Sequence, residues 1–127
     1  MSEPTQKPHY IYKIVPSAPP SPLPAEFPLS DLDRNDGFIH LSTAEQVLGT
    51  ADLFFSAATS LWLLKLPYAA LAEETRWEFP PSSTFPSAFP HLYGRNFGAA
   101  DVADARGFER PDGAVWSEIL RGDAWLV

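Results

Sequence analysis

The sequence predicts one small α+β domain, on three observations. His9-Tyr10-Ile11-Tyr12-Lys13-Ile14-Val15 alternates tyrosine with β-branched residues, as a strand does. Within Thr43 to Thr59, Val47, Ala51, Phe54, Phe55 and Ala58 recur at three- and four-residue steps, which puts one apolar stripe on a helix despite Gly49. Leu61-Trp62-Leu63-Leu64-Lys65-Leu66, closed by Pro67, is a nearly continuous apolar run, the pattern of a strand covered on both faces. A chain of 127 residues, 45% hydrophobic and 13% aromatic, holds enough apolar material for one core and too little for two, so 1–127 reads as a single domain.

The elements follow in order. Met1 to Pro8 is polar and is expected to fray, and strand one follows it. Pro16 to Pro28 is proline-rich; proline removes backbone donors and disfavours helix in the residue before it, so an extended, irregular segment is expected. Leu29 to Asn35 is acidic and polar, and Asn35-Asp36-Gly37 is a turn signal that delivers the chain into a short strand from Phe38 to Leu41. Ser42-Thr43-Ala44-Glu45 fits a capping box and starts the helix. The Leu/Trp-rich run is the expected central strand, Tyr68 to Glu74 forms a turn or two of helix, and Arg76-Trp77-Glu78-Phe79 suits a strand with one wet face. Pro80 to Pro90 is a loop, either a lid or packing over an edge, and Phe89 to Gly94 follows it. A turn at Pro111-Asp112-Gly113 precedes Ala114 to Val127, whose apolar spacing fits a docked helix or a strand.

Charge narrows the partners. With 9 Lys plus Arg against 16 Asp plus Glu, a net charge of -7 disfavours nucleic acid and anionic membrane surfaces, and leaves small ligands as the expected partners. The absence of cysteine removes disulfides, thiol nucleophiles and Cys-based zinc sites, and three histidines make a His-rich metal site unexpected. With no apolar stretch of signal-peptide or membrane-span length, the chain reads as cytoplasmic.

Chemistry concentrates in two places. On a strand from Phe38, the side chains of Phe38, His40 and Ser42 share one face, just before a helix N-terminus that favours an anion. His40 is a candidate acid or base there; the competing reading is a structural histidine with its tautomer held by Asp36 or a carbonyl. Ser42 and Thr43 are candidate hydroxyl donors to a ligand, although capping explains both. In the second place, His91 and Tyr93 project to one side of an extended segment, an imidazole beside an aromatic platform. Glu78 shares its face with Arg76, which predicts a surface pair, but a carboxylate beside an imidazole also serves acid–base work. Trp77 is a candidate pocket wall and Arg95 a candidate anion anchor.

Asp36-Gly37-Phe38-Ile39-His40-Leu41-Ser42-Thr43, Trp77-Glu78 and Phe89-Pro90-His91-Leu92-Tyr93-Gly94, in that order around a Leu/Trp-rich strand, resemble the family catalogued as domain of unknown function 952. The resemblance spans Tyr10 to Val102; the proline-rich segment and the C-terminal region depart from the family pattern. It implies a fold similar to that of ADP-ribosyltransferases, a split sheet around a cleft. In NAD-using enzymes of that fold a strand-borne histidine holds the ribose, and His40-Leu41-Ser42 is similar to their His-x-Ser/Thr pattern. A late glutamate polarises the ribose there, a part open to Glu78 or Glu118. Three functions follow as expectations. The first is a small-molecule or nucleotide-binding protein, with NAD as candidate cofactor and a cleft lined by His40, Ser42, Glu78, His91 and Tyr93. The second is a cofactor-independent isomerase, cyclase or lyase using His40 and His91 as acid and base. The third is a non-catalytic interaction domain presenting the proline-rich segment.

Overall fold

The computed structural model describes residues 6–79 and 87–127. The frayed start expected for Met1 to Pro8 falls in part, and the expected lid between Pro80 and Pro90 in large part, outside the described residues. Six strands form two antiparallel sheets of three. In the first sheet β3 (Ser60–Pro67) lies between β1 (Tyr10–Val15) and β6 (Asp104–Glu109). In the second, β5 (Phe89–Leu92) lies between β2 (Ile39–His40) and β4 (Thr75–Glu78). The Leu/Trp-rich strand is central, as its composition predicts. Leu64 and Leu66 pack from it into one apolar cluster with Ile11, Ile39, Leu71, Leu92 and Phe97. Leu61 and Leu63, on its other face, pack into a second cluster with Tyr12, Val47, Trp116 and Leu120.

Among the described residues the two sheets are joined by one backbone bridge. The amide of Tyr12 donates to the Ser42 carbonyl at 2.7 Å and that of Ser42 to the Tyr12 carbonyl at 2.9 Å. One step earlier the Leu41 amide donates to the Pro90 carbonyl, so the chain passes from the second sheet to the first within two residues. This handover fixes where the helix begins. Ser42 is still paired as a strand, so Thr43 becomes the N-cap of α2 (Ala44–Phe54), its hydroxyl accepting from the Gln46 amide while Gln46 reaches back to the Thr43 amide. The expected Ser42–Glu45 box is thus displaced by one residue. The helix also ends at Phe54, which is 67% exposed and not part of the buried stripe; Val47 and Ala51 carry the packing.

The acidic stretch before Gly37 is a helix, α1 (Asp31–Asp36), and not only a turn. Ser30 caps its start, and Gly37, at φ +79°, closes its end with an amide donated to the Asp33 carbonyl. After β3 comes α3 (Tyr68–Leu71), extended by a 3-10 turn over Ala72–Glu74. The C-terminal ambiguity resolves to a helix, α4 (Trp116–Leu120), packed on α2 through Trp116, whose indole donates to the Phe55 carbonyl, and through the Asp52 carboxylate, which accepts from the Ser117 amide. No helix among the described residues is long and apolar enough to cross a membrane.

The proline-rich segment is strapped down at its far end. Leu23 and Phe27 join the first apolar cluster, Phe27 stacks on Phe97 with centroids 5.3 Å apart, and its amide donates to the Phe97 carbonyl. Pro16, Pro20, Pro22 and Pro28 are exposed. The strap closes on Gly98, where an added Cβ would sit 1.7 Å from the Ala25 carbonyl oxygen. Backbone cannot yield there as a flexible side chain can, so Gly98→Ala is expected to cost at least about 2 kcal/mol of stability. Urea unfolding checks this: a midpoint equal to that of the parent protein would show that the strap is loosely held.

Candidate functional site

Pairing register builds the site. His40 lies opposite His91 across the β2–β5 pair, and His91 lies opposite Arg76 across the β5–β4 pair. Cross-strand partners share a face, and so do residues two apart along a strand. One face of the second sheet therefore gathers His40, His91, Tyr93, Arg76 and Glu78, while Ile39, Leu92 and Trp77 face the other way.

Phe38 organises the face. Its ring stacks on His91 at 4.3 Å between centroids and 28° between planes, with His40 at 4.6 Å and Tyr93 at 5.0 Å. The two imidazoles meet edge to face, with centroids 5.3 Å apart.

Each histidine has its own carboxylate. His40 Nδ1 lies 2.7 Å from Asp33 Oδ1, and its Nε2 lies 2.9 Å from Asp36 Oδ2. An ionised carboxylate only accepts, so a ring nitrogen that bonds to one does so as a donor. Asp33 is the hub: α1 carries it into the interior at 3% exposure, where it also accepts from the His40 amide and pairs with Lys13 Nζ at 2.6 Å. The Lys13 ammonium also donates to the His40 carbonyl at 3.2 Å. Burial alone would raise the Asp33 carboxyl, but the hydrogen bond from the His40 ring, the Lys13 charge and the remaining donors hold it down at about 2. Lys13 moves below the usual lysine range because its burial outweighs the pull of Asp33. The asymmetry follows from the donor count: Asp33 collects three hydrogen bonds, whereas Lys13 has one carboxylate and one carbonyl.

His91 is arranged differently. Its Nδ1 lies 2.8 Å from Glu78 Oε1, which also accepts from the Tyr93 hydroxyl at 2.6 Å. Its Nε2 has no hydrogen-bond partner among the described residues. Burial lowers the His91 pKa, and the hydrogen bond and charge of Glu78 offset only part of that. Glu78 is itself lowered: its slight burial acts upward but is outweighed by the bonds from Tyr93 and His91. Tyr93 is raised, by desolvation and by donating to Glu78. A neutral His91 ring that donates Nδ1–H to Glu78 has Nε2 left as an acceptor, the geometry of an oriented general base.

Of the residues singled out in the sequence, His40, His91, Glu78 and Tyr93 are brought together. The others are not. Ser42 is buried at the bridge to Tyr12 by backbone hydrogen bonds, and Thr43 is committed to the α2 cap. Trp77 faces the opposite side of the sheet, its indole donating to the Tyr68 hydroxyl at 3.2 Å. Arg95 is paired with Asp101 at 2.7 Å on the loop after β5. Glu118 lies on α4, which packs against α2. The Arg76–Glu78 surface pair gives way to Glu78 with Tyr93 and His91. The cluster lies on one face of the second sheet, with His91 7% exposed; two surface cavities, one of about 300 Å³ beside Pro19, Leu23 and Trp62 and one of about 500 Å³ beside Ser60 and Arg110, lie elsewhere. Among the described residues, no group of three or more His, Asp or Glu side chains is placed to hold a metal ion.

Asp33 and Lys13 were not expected in the site, and Phe38, placed on the His40 face by strand parity, was not expected as the ring on which the site packs. One signal for them existed: Lys13 alternates with Ile11 and Val15 on an apolar strand face, and a charge in that position demands a buried partner.

Comparison with known proteins agrees with this fold. A solved crystal structure of protein CC0527 from Caulobacter crescentus is 31% identical, with a TM-score of 0.69 over 87% of this chain and 97% of that one. A solution NMR structure of the same protein is 32% identical, with a TM-score of 0.68 over 84% of this chain and 90% of that one. No curated protein matches the chain. The family model described as protein of unknown function (DUF952) matches residues 24–105, which include α1, both histidines, Glu78 and Tyr93, and the chain belongs to that family.

Proposed function

We propose that the protein binds a small polar molecule on the Phe38–His40–His91–Tyr93 face and moves a proton on it, with His91 as base and His40 as acid. The observation that carries this reading is the unequal treatment of two adjacent imidazoles. His91 has one nitrogen fixed by a carboxylate and the other without a hydrogen-bond partner among the described residues, whereas both nitrogens of His40 face carboxylates. In the reaction, His91 Nε2 takes a proton from a C–H or O–H of the substrate. His40 Nε2–H, released from the exposed Asp36, delivers one to a substrate oxygen. Isomerisation, cyclisation or elimination without a cofactor falls within this chemistry.

A nucleotide version keeps the same face and takes NAD or a relative as ligand. It is supported by the His40-Leu41-Ser42 pattern, by the split sheet of the ADP-ribosyltransferase likeness, and by the placement of Glu78, not Glu118, beside the histidines. The interaction-domain reading has less support, because Leu23 and Phe27 tie the proline-rich segment to the core.

Screening small polar metabolites, NAD and ADP-ribose by NMR separates these readings. Expected is a ligand that shifts the ring signals of His40 and His91 together. Calorimetry showing no NAD or ADP-ribose binding at millimolar concentration removes the nucleotide version. If no compound of the screen moves either imidazole, the reading as a whole fails.

A further inference from the structure

The acid–base reading leaves one group of the face unused. Arg76 is the direct cross-strand partner of His91, and its guanidinium carbon lies 4.6 Å from the centroid of the Tyr93 ring. A guanidinium held over an aromatic face keeps its orientation while the N–H donors on its edge stay available. Among the described residues the Arg76 side chain has this ring contact and no hydrogen bond or ion pair. Arg34, Arg95, Arg106 and Arg110 differ, each bonded to a carboxylate or a carbonyl, and Arg121, exposed after α4, also lacks a side-chain bond among the described residues but has no ring to orient it. The neighbouring acid that would ordinarily claim Arg76 is Glu78, two residues away on the same face. Tyr93 and His91 both bond to Glu78 Oε1, and Arg76 makes no hydrogen bond or contact ion pair with it, acting on it only through its charge.

An oriented cation with free donors, one strand from a base whose Nε2 is open, is the arrangement that receives an acidic substrate. Resting on the acid–base reading, we propose that Arg76 anchors an oxyanion of the substrate. The substrate is then a small carboxylic acid or phosphate ester whose transferable proton lies next to that anionic group. A planar carboxylate or phosphate matches the guanidinium edge with two parallel hydrogen bonds, which lysine cannot reproduce. Tyr93 has two parts in this scheme: its ring supports Arg76 while its hydroxyl holds Glu78, so one residue couples the anchor to the base.

Titration of the intact protein with malonate and, separately, inorganic phosphate tests the proposal, reading the Arg76 side-chain NMR signal and the His91 ring signals. Expected is a common saturation curve at both residues. It should weaken by at least about tenfold in Arg76→Gln, given the strength of charge-assisted hydrogen bonds, and by less in Arg76→Lys. Arg106→Gln, at a guanidinium over Phe108 on the other sheet, should leave it unchanged. Response to malonate alone assigns a carboxylic acid, response to phosphate alone assigns a phosphate ester, and either supports the anchor. Undiminished affinity in Arg76→Gln, or saturation that moves His91 but not Arg76, overturns the anchor and leaves the acid–base reading intact. Silence at both residues also overturns the anchor, whereas the base is judged by its own proton titration.

Discussion

Asp33→Asn is expected to lose about 3–5 kcal/mol of stability, the cost of leaving a buried cation without its counter-charge. Among the described residues Lys13 Nζ has Asp33 as its only carboxylate, at 2.6 Å, and sits on a strand face otherwise filled by Ile11 and Val15. Asparagine keeps an oxygen that accepts from the His40 amide but supplies no charge, so the loss is mainly electrostatic. If so, Lys13→Met in the same chain should recover most of it, because an apolar side chain removes the uncompensated ammonium. Urea denaturation of the single and double variants checks both statements. A single variant within about 1 kcal/mol of the parent protein, or a double variant no better than the single, would show that the pair is incidental.

The same residue sets an acid limb. The Asp33 carboxyl is depressed from 3.8 to about 2 on folding, so the unfolded chain binds the extra proton between those values. At about 1.4 kcal/mol per unit this amounts to roughly 2–3 kcal/mol. That stability is fully present above the unfolded pKa and is lost as pH falls through the folded one. In Asp33→Asn this part of the acid slope should be missing.

The fold was legible where a single local rule sufficed. Alternation gave β1, a continuous apolar run gave the central β3, and the charged–aromatic alternation of Arg76 to Phe79 gave β4. Two adjacent capping patterns competed at Ser42 and Thr43, and local chemistry could not separate them. The bridge to Tyr12, thirty residues earlier in the chain, decided the matter by keeping Ser42 in the sheet. Helix α1 was hidden for a related reason. Its six residues bury only Asp33, so it has no apolar stripe, and what stabilises it is a Ser30 cap and an ion pair to a distant strand.

The candidate site divides in the same way. His40, His91, Glu78 and Tyr93 were found from residue type and face parity, which survive folding because a strand keeps its period of two. Asp33 could not be found that way: it reaches His40 from a helix, seven positions back, and nothing in a polar run of aspartates distinguishes the one that turns inward. Trp77 and Arg95 were misplaced for complementary reasons. Trp77 follows the strand period to the opposite face, where Tyr68 receives its indole, and Arg95 finds Asp101 within its own loop.

His91→Gln is expected to lower turnover by about 10²–10⁴-fold, the range for removing a positioned base, while the protein stays folded. The physical basis is testable before a substrate is known. Desolvation holds the His91 pKa below 6.5, against Glu78 and Asp36, which act upward, and with His40, which acts downward. Imidazole NMR titration should therefore give a midpoint below 6.5 in the parent protein. Glu78→Gln keeps an acceptor oxygen for Nδ1–H but removes the charge that favours the imidazolium, so the midpoint should fall further. Phe38→Ala uncovers the ring, so it should rise toward the free value. Because the folded pKa is depressed, the unfolded chain binds the extra proton in the window just below 6.5, and stability falls as pH drops through it. Glu78, also depressed, loses its contribution at lower pH still, so the two groups act in the same direction and add to the Asp33 limb. A His91 midpoint at or above 6.5 would mean that desolvation does not govern the ring, and one well above neutrality would leave Nε2 protonated and remove His91 as the base.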